Sequence, residues 1–469
     1  MALKLYNSMG RRMQTFRPIR GRSVRMYTCG PTVWNYAHVG NFRTFVFWDV
    51  LRRYLKFRDY RVMQVMNITD VEDNIIKGMK QFGKSRSELT SFYESAFMED
   101  LRALNAEKAE VYPRATDHIP QMLALIKRLL KKGYAYKSDD GSIYYDISKF
   151  KRYGRLSGIS PGQLKAGSRV SQDHYDKQEA NDFALWKAWD ADDGEVYWNT
   201  EFGKGRPGWS IECSAMSMEY LGQSFDIHTG GVDNKFPHHE NEIAQSEAAT
   251  GKRFVKYWLH SEHLSNSGEE MHKSLGNIIT LKELLGQGWD PATVRFFLIS
   301  SHYREPADLN TSSLRQADAG RRRMQDLVWR LMASSSETGS KKAISLAEKL
   351  LQAFAREMDK DLNTPAGIAS VFSFVTEANS LADLGLIGKP QAGRLLGALR
   401  KVDSVLGVLS FAERESLEPD LQALIARRDE ARRNKDFGEA DRIRVELLAR
   451  GIVLEDSPKG TVWRRRTSG

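Results

Sequence analysis

A strand–loop–helix–strand unit near the start of the chain constrains the fold more than any other feature. Residues 24–28 (VRMYT) form an apolar segment that ends at a Cys-Gly-Pro loop. Residues 38–57 then carry apolar side chains at the spacing of an amphipathic helix, and residues 61–69 (RVMQVMNIT) are typical of a second buried strand. Strands joined through one helix run parallel, so the sequence predicts a parallel α/β sheet.

The same alternation returns after a stretch of different composition. The segment SDDGSIYYDI predicts a hairpin with a glycine turn, and residues 151–208 are rich in Gly, Lys, Arg and Asp. After them come a helix pattern (IECSAMSMEYLG), a strand pattern (SFDIHTGG) and a helix pattern that Gly251 ends (HHENEIAQSEAATG). We therefore predict one Rossmann-like parallel-sheet domain in two halves, residues 1–140 and 206–280, divided by a connective insertion at 141–205.

The C-terminal part of the sequence is helical. Strand patterns fade beyond residue 305, and amphipathic helices are predicted at 310–335, 341–358, 364–382 and 390–410. A charged helix pair and the strand-like GIVLEDSPKGTVWRRR follow, in which Trp463 precedes Arg464. An aromatic ring beside cations is typical of single-stranded nucleic-acid surfaces, although many basic tails are only solvated. We expect a linker region at 281–330, an all-α bundle at 331–420 and a small α+β module at 421–469.

Charge and cysteine content restrict the class of protein. The 70 Lys and Arg residues exceed the 60 Asp and Glu residues, and the net charge of +10 fits a polyanionic partner without identifying one. A mean hydropathy of −0.51, with no long uncharged apolar run, predicts no membrane span. The first twenty residues lack the apolar stretch of a signal peptide. Two cysteines exclude a disulfide framework, so we expect a protein of the reducing cytoplasm.

Four residues offer the ligands of a metal site. His238 and Glu242 are four apart in the helix pattern PHHENE, so they share one helix face. Together with Cys29 and Cys213 they would supply two thiolates, an imidazole and a carboxylate, a set that suits zinc. The cysteines are far apart in the sequence, however, and spacing alone equally allows two unrelated buried cysteines and a surface His–Glu pair.

Two segments have the chemistry of a phosphate site. His38-Val39-Gly40-Asn41 opens a helix directly after a strand, where free N–H groups and the helix dipole favour an anion. The polar loop SNSGEEMHKSLGN carries Lys273 and Ser274, which suit the clamping of pyrophosphate charge. Taken alone, the first segment is as well explained by helix capping, and the second by an ordinary exposed loop.

These features occur together in one family. The blocks YTCGPTVWNYAHVGNFRTF, NITDVEDNII, WSIECSAM, FDIHTGGVDNKFPHHENEIAQSE, HKSLGN and GIVLEDSPKGTVWRRR extend over essentially the whole chain. With them the sequence resembles the cysteinyl-tRNA synthetases, which are class I aminoacyl-tRNA synthetases. The resemblance implies activation of L-cysteine with ATP and Mg²⁺ and transfer of the cysteinyl group to the 3′ end of cysteine tRNA. It further implies one zinc ion per chain and a cytoplasmic monomer. Residues 281–330 would contact the tRNA stem, and residues 421–469 would bind the anticodon.

The resemblance also assigns roles to residues. The zinc ligands match Cys29, Cys213, His238 and Glu242, and the zinc would bind the thiol of the substrate directly. Catalytic charge stabilisation falls to His38 and Lys273. The ATP-binding positions match His38, Gly40, Asn41, Lys273 and Ser274, and the amino-acid pocket matches Cys29, Gly30, Thr69, Trp209 and Asp233. The tRNA contacts match Arg432, Asp441, Asp456, Trp463 and Arg464.

The chain departs from the family pattern in its ATP motifs. Glu270 and His272 replace the first lysine and the central serine of the KMSKS motif, so one of the two clamping charges is missing. Asn41 replaces the second histidine of the HIGH motif. We therefore expect the usual activity with altered electrostatics in the closing loop.

Three other interpretations compete. A cysteine ligase that acts on an amino-sugar would share the catalytic half, but such ligases lack the tRNA-reading end that this chain carries. A zinc- and RNA-binding protein without enzymatic activity would have no use for a phosphate clamp. A zinc hydrolase needs a general base near the metal, and Glu240 is a candidate, although HHENE is not the H-E-x-x-H pattern of that class.

Overall fold

The computed structural model describes residues 2–159, 164–170, 180–271, 278–413, 417–457 and 460–465. Its first elements are β1 (Lys4–Asn7), β2 (Arg12–Thr15), β3 (Ser23–Thr28), α1 (Val39–Phe57), β4 (Arg61–Met66), α2 (Asp73–Phe82), α3 (Arg86–Ala103) and α4 (Ile119–Lys131). The middle of the chain forms β5 (Ala135–Lys137), β6 (Ile143–Tyr145), β7 (Leu164–Val170), β8 (Ala180–Ala188), β9 (Trp198–Thr200), β10 (Gly203–Pro207), α5 (Trp209–Leu221), β11 (Phe225–Gly231), α6 (His238–Thr250), β12 (Val255–Ser261), β13 (Leu264–Asn266) and β14 (Glu269–Glu270). The remaining elements are α7 (Leu281–Gly286), α8 (Pro291–Ile299), β15 (Ala307–Leu309), α9 (Thr311–Met332), α10 (Lys341–Met358), α11 (Thr364–Asp383), α12 (Lys389–Leu406), α13 (Pro419–Arg433), α14 (Phe437–Ala449), β16 (Ile452–Ser457) and β17 (Gly460–Arg465).

A four-stranded parallel sheet lies at the centre of the α/β part, in the order β12-β11-β3-β4. Strands β3 and β4 pair in register from Ser23 and Arg61 onward, and α1 connects them, so the predicted parallel unit is confirmed. Side chains alternate across the sheet: Met26 belongs to the core that includes α1, whereas Tyr27 belongs to the core that includes α5 and α6. Helices therefore cover both faces, and the Rossmann-like fold class is confirmed.

A second sheet lies between the two halves of the first one along the chain. Its order is β5-β6-β8-β10-β9, with β7 beside β8. The hairpin of β5 and β6 is the predicted one, and Gly141 forms its turn with a φ of +88°, a conformation that favours glycine. Helix α5 contacts β8 as well as β3 and β4. The insertion therefore rests on the helix that carries the chain back into the parallel sheet.

The four predicted amphipathic helices are α9, α10, α11 and α12. Helix α9 lies in the range predicted as a linker, but it packs on α11 and α12 as part of the bundle. Asn310, Ser340 and Asn363 cap the starts of the first three by accepting hydrogen bonds from backbone N–H groups of the first turn. One continuous hydrophobic core extends from β3 and α1 into these helices, so the bundle packs directly on the catalytic domain. The strand β15, which pairs with β13, lies beyond residue 305, and at three residues it is too short for an alternation pattern to reveal it.

The C-terminal module has its own small core. Helices α13 and α14 form the predicted helix pair, and the segment predicted as strand-like forms β16 and β17, which pair antiparallel beside them. The core is apolar throughout and consists of Leu417, Leu421, Leu424, Ile443, Leu447, Ile452 and Leu454. Among the helices that the structure describes, none has the length and apolar character to cross a membrane.

Candidate active site and metal centre

A cleft of about 510 Å³ opens at the carboxyl ends of the parallel strands. The loop after β3, the start of α1, and the segments after β11 and β12 form its walls. Residues 29–35, His38, Gly40, Trp209 and Asp233 contribute to the lining. Open α/β sheets bind their ligands at this edge, because the loops that follow the strands converge there.

Cys29, Cys213, His238 and Glu242 lie together beside this cleft. One ligand atom from each lies within 4.8 Å of the others, and all four side chains are buried. Cys29 follows β3, Cys213 lies on α5, and one turn of α6 places His238 Nε2 3.2 Å from Glu242 Oε1. The alternative of unrelated cysteines and a surface His–Glu pair is therefore wrong.

Two histidines that the sequence analysis did not select also reach this cluster. His239 Nε2 lies 3.2 Å from Cys29 Sγ, and His228 Nε2 lies 2.9 Å from Glu242 Oε2. These four residues form a second group whose ligand atoms lie within 4.8 Å of one another. His239 Nδ1 in turn lies 2.8 Å from His260 Nε2. The signal in the sequence was the tandem histidine of PHHENE and a histidine inside the strand FDIHTGG, two polar residues in otherwise buried elements.

Burial controls protonation in the cluster. It raises the pKa of the Cys29 thiol, and contacts with Cys213 and Glu242 add to the shift. It also raises the pKa of Glu242, against the opposing effect of His228, and it lowers the pKa of His239. Each of these shifts disfavours the charged form in a poorly solvated place. A divalent cation favours thiolate and carboxylate instead, so this donor set of sulfur, nitrogen and oxygen fits zinc.

His38 and Asn41 begin helix α1 at the rim of the cleft. The backbone N–H of Asn41 donates to His38 Nδ1 at 3.3 Å, and the backbone N–H of His38 donates to Asn41 Oδ1 at 3.1 Å. The capping interpretation is thus confirmed, and both residues also line the cleft. A Cβ atom on Gly40 would lie 2.9 Å from His38 Nδ1, so this position favours glycine. Lys273 and Ser274 lie outside the described residues.

Most residues predicted for the amino-acid pocket line the cleft, whereas Thr69 is not among the lining residues. Trp209 lines the cleft, and its ring centroid lies 4.1 Å from that of His238. Asp233 also lines the cleft, and its Oδ2 lies 3.4 Å from His263 Nδ1. Thr69 is buried, and its hydroxyl donates to Glu212 Oε2 at 3.2 Å.

Gly30 also lines the cleft, and its backbone passes close to Asn67 in the segment that follows β4. Its backbone N–H donates to Asn67 Oδ1 at 2.9 Å, and a Cβ atom at this position would lie 1.7 Å from the backbone oxygen of Asn67. Only glycine fits this crossing. The crossing therefore fixes the path of the chain immediately after Cys29.

Glu240 has a structural partner instead of a place in the metal cluster. Its Oε2 accepts hydrogen bonds from the backbone N–H groups of Leu156 and Ser157 at 3.0 and 2.8 Å. Glu240 belongs to neither group of clustered ligands. The hydrolase interpretation thereby loses the general base it required.

The predicted anticodon residues lie in the C-terminal module. Arg432 on α13 forms an ion pair with Asp456 on β16, and Arg428 Nη2 donates to the same carboxylate at 2.7 Å. These contacts hold the pKa of Asp456 well below its usual range, and the hydrogen bond from Arg428 makes the largest contribution. Asp441 is exposed on α14, and Trp463 packs against the core of the module. The side chain of Arg464 lies outside the described residues.

Family models match most of the chain. Residues 15–319 match a model described as the catalytic domain of class I tRNA synthetases (C). Residues 353–410 match a DALR domain, and residues 414–464 match an anticodon-binding domain of cysteinyl-tRNA ligase. The last match favours a tRNA acceptor over an amino-sugar.

Curated relatives agree with this over nearly the full length. The cysteine–tRNA ligase of Chlamydia pneumoniae is 47% identical over 461 residues, which cover 98% of this chain and 97% of that protein. The enzyme of the same name from Protochlamydia amoebophila is 44% identical over 463 residues, with the same coverage. Among solved structures, Mycobacterium tuberculosis methionyl-tRNA synthetase in complex with methionyl-adenylate has a TM-score of 0.59 at 13% identity, covering 82% of this chain and 90% of that one. This last likeness concerns the fold alone.

Proposed function

The chain belongs to the cysteinyl-tRNA synthetase family, and we propose that its reaction, the ATP-dependent joining of L-cysteine to cysteine tRNA, takes place in the cleft. The cluster of Cys29, Cys213, His238 and Glu242 lies beside this cleft. The observation that carries the proposal is the convergence of two thiols, an imidazole and a carboxylate at the edge of a cleft that Cys29 itself lines.

Cys29, Cys213, His238 and Glu242 hold one zinc ion in this proposal. Zinc would lower the pKa of the substrate thiol and bind the thiolate as a soft ligand, which the harder hydroxyl of serine does not match. His228 and His239 hydrogen-bond to ligand atoms of the cluster and so fix the orientation of Glu242 and Cys29. Trp209 forms the neighbouring wall and limits the volume left for the amino acid.

The adenylation step depends on positioning and charge stabilisation. The substrate carboxylate oxygen attacks the α-phosphorus of ATP, whose Mg²⁺ accompanies it, and pyrophosphate leaves. His38 and Asn41 at the start of α1 lie where the helix dipole and N–H groups attract this developing negative charge. Lys273 and Ser274, which follow β14 in the sequence, would clamp the phosphates. A terminal ribose hydroxyl of the tRNA then attacks the cysteinyl carbonyl, and AMP leaves.

The rest of the chain addresses the tRNA. We assign stem contacts to residues 281–330 and anticodon contacts to the module 421–469, through Arg432, Asp441, Asp456, Trp463 and Arg464. Residues 331–420 form the bundle that joins these regions. One chain with one zinc ion contains every proposed element, so we propose a monomer.

Metal analysis of Cys213→Ser tests the proposed centre. The wild-type protein should contain one zinc ion per chain, and the variant should lose most of it because a thiolate is replaced by a hydroxyl. Ser217→Ala is the matched control, since Ser217 lies on the same buried helix but its hydroxyl donates to Ser214 O and it belongs to neither ligand group. Full zinc retention in Cys213→Ser would contradict the proposal.

A further inference from the structure

The start of the chain is strongly one-sided in charge. Its first carboxylate is Asp49, and the 48 residues before it carry eight cationic side chains, namely Lys4, Arg11, Arg12, Arg17, Arg20, Arg22, Arg25 and Arg43. The net charge of the whole chain is +10. These eight cations make up most of the net excess of ten, and none of them lines the cleft.

Cations from this segment and from later in the chain lie at the edge of the sheet where the parallel strands begin. Arg22 precedes β3, and Arg61 is the first residue of β4. Lys252 and Arg253 precede β12. Because all four strands run parallel, residues that precede them lie at one edge, opposite the edge where Cys29 and the cleft lie.

Contacts between neighbours bring Arg17, Arg20 and Lys256 to the same edge. Lys256 Nζ donates to the backbone oxygen of Arg17 at 2.7 Å, and Arg253 Nη2 donates to the backbone oxygen of Lys256 at 2.8 Å. Arg20 forms a backbone bridge with Ser23 at the start of β3. We call this surface the basic pole and define it as Arg17, Arg20, Arg22, Arg25, Arg61, Lys252, Arg253 and Lys256.

The charge of the basic pole is largely uncompensated. Asp226 is buried there and compensates part of the charge of Arg25, and its two oxygens accept hydrogen bonds from the backbone N–H groups of Ile19 and Arg25. Arg22 lies 3.7 Å from Asp59, and both side chains are exposed, so the pair neutralises little. Within the described part of the chain, the side chains of four exposed members make no hydrogen bond or ion pair: Arg17, Arg20, Arg61 and Lys252.

Distance separates this surface from the adenylation site. Strand β3 has six residues, so at a rise of about 3.3 Å per residue the two edges lie about 20 Å apart. An anion at the basic pole is therefore not the ATP that reacts in the cleft.

We propose that the basic pole binds the phosphate backbone of folded RNA, as a contact surface additional to the cleft and the C-terminal module. Six of its eight cations are arginines, whose planar guanidinium groups suit phosphate oxygens. Among the described residues of segments 17–25 and 252–256, which hold every member of the basic pole except Arg61, Ile19 is the one large exposed apolar side chain, which is too little to anchor the chain in a lipid surface. Two aromatic rings beside this described surface are covered: Tyr60 is half-buried with the guanidinium of Arg22 5.4 Å from its ring centroid, and Tyr257 is buried. This favours backbone contacts over the stacking of single-stranded bases.

Binding of a labelled RNA hairpin without a cysteine anticodon or a 3′ CCA end tests the proposal. Fluorescence anisotropy is measured without ATP and cysteine at KCl concentrations from about 50 to 200 mM, a range over which phosphate contacts make the binding affinity fall steeply. The test variant combines substitutions of the four unbonded side chains, Arg17→Gln, Arg20→Gln, Arg61→Gln and Lys252→Gln. The matched control removes four exposed cations of the bundle, Lys341→Gln, Lys349→Gln, Lys389→Gln and Arg394→Gln.

We expect the test variant to bind the hairpin at least tenfold more weakly at the lowest salt. Its plot of log K against log [KCl] should be less steep by about 2 to 4, since each lost phosphate contact removes about 0.9. The control should stay within twofold of the wild type, and both variants should retain cysteine-dependent ATP–pyrophosphate exchange, which shows that they are folded.

Three results would overturn the proposal. The first is an unchanged salt slope in the test variant, and the second is an equal loss of binding in the control. The third is loss of binding to phosphatidylserine–phosphatidylcholine vesicles without any change in hairpin binding, which would identify a lipid surface instead. Because the assay omits the substrates of the cleft, none of these results depends on the zinc proposal.

Discussion

Replacing Gly30 by alanine should disable the cleft without unfolding the protein. The added Cβ atom would lie 1.7 Å from the backbone oxygen of Asn67, whereas real Cβ contacts are essentially never shorter than 3.0 Å. The two segments must therefore separate by more than 1 Å, which also breaks the 2.9 Å hydrogen bond from the Gly30 N–H to Asn67 Oδ1. Cys29 is the preceding residue and moves with them. A displacement of about 1 Å at a reacting site costs on the order of 100-fold in rate.

The assay is cysteine-dependent ATP–pyrophosphate exchange, with zinc content measured on the same preparations. We expect kcat/KM for cysteine to fall about 100-fold or more and the zinc content to decrease. Gly393→Ala is the matched control, because nothing lies within 4 Å of the added atom and the helix α12 gains about 1 kcal/mol from alanine. Activity of Gly30→Ala within threefold of the wild type would refute the reasoning, and so would an equal loss in the control.

Three further predictions concern other parts of the chain. Burial raises the pKa of Asp403 from 3.8 to about 6, so the folded protein holds this proton more tightly than the unfolded chain. The contribution of Asp403 to the free energy of unfolding should therefore fall by about 3 kcal/mol as the pH rises from about 4 to 6. Urea unfolding of Asp403→Asn should lack that part of the pH dependence. Lys273→Ala should slow adenylation at least about tenfold in pyrophosphate exchange, and a near-normal rate would argue against the clamp. Asp456→Asn, which weakens the pairing with Arg428 and Arg432, should lower charging of cysteine tRNA about tenfold or more while pyrophosphate exchange is retained; equal loss of both activities would contradict a role in tRNA reading.

The architecture was largely accessible from the sequence because periodicity and helix-capping residues are local. The helix after residue 38, the glycine end of α6 at Gly251 and the helices of the bundle follow from apolar spacing and capping chemistry. The short strand β15 was missed, since three residues do not display a period and its pairing with β13 is decided by tertiary packing.

The site was accessible only in part. Ligand chemistry offered Cys29 and Cys213 as a pair and left unrelated cysteines open, and the resemblance to a family chose between the two. The parallel topology explains why residues so distant in sequence meet. His228 and His239 were not selected, because their approach to Glu242 and Cys29 depends on how β11 and α6 pack. Spacing along one chain does not contain that information.

The net charge alone did not identify a surface. The excess of +10 predicts a polyanionic partner, but the sequence by itself gives the cations before Asp49 no role. Their alignment at one edge becomes visible only when the strand starts are brought together. A net charge therefore needs a fold before it identifies a surface.

The most direct test of the account compares cysteine and serine as substrates for ATP–pyrophosphate exchange on the zinc-loaded wild-type protein. The two amino acids differ only in a sulfur or an oxygen atom, so a pocket that selects by shape would separate them weakly. Selection by coordination to the Cys29, Cys213, His238 and Glu242 centre predicts a kcat/KM ratio of at least about 10⁴ in favour of cysteine. Activation of serine with a comparable kcat/KM would contradict the account.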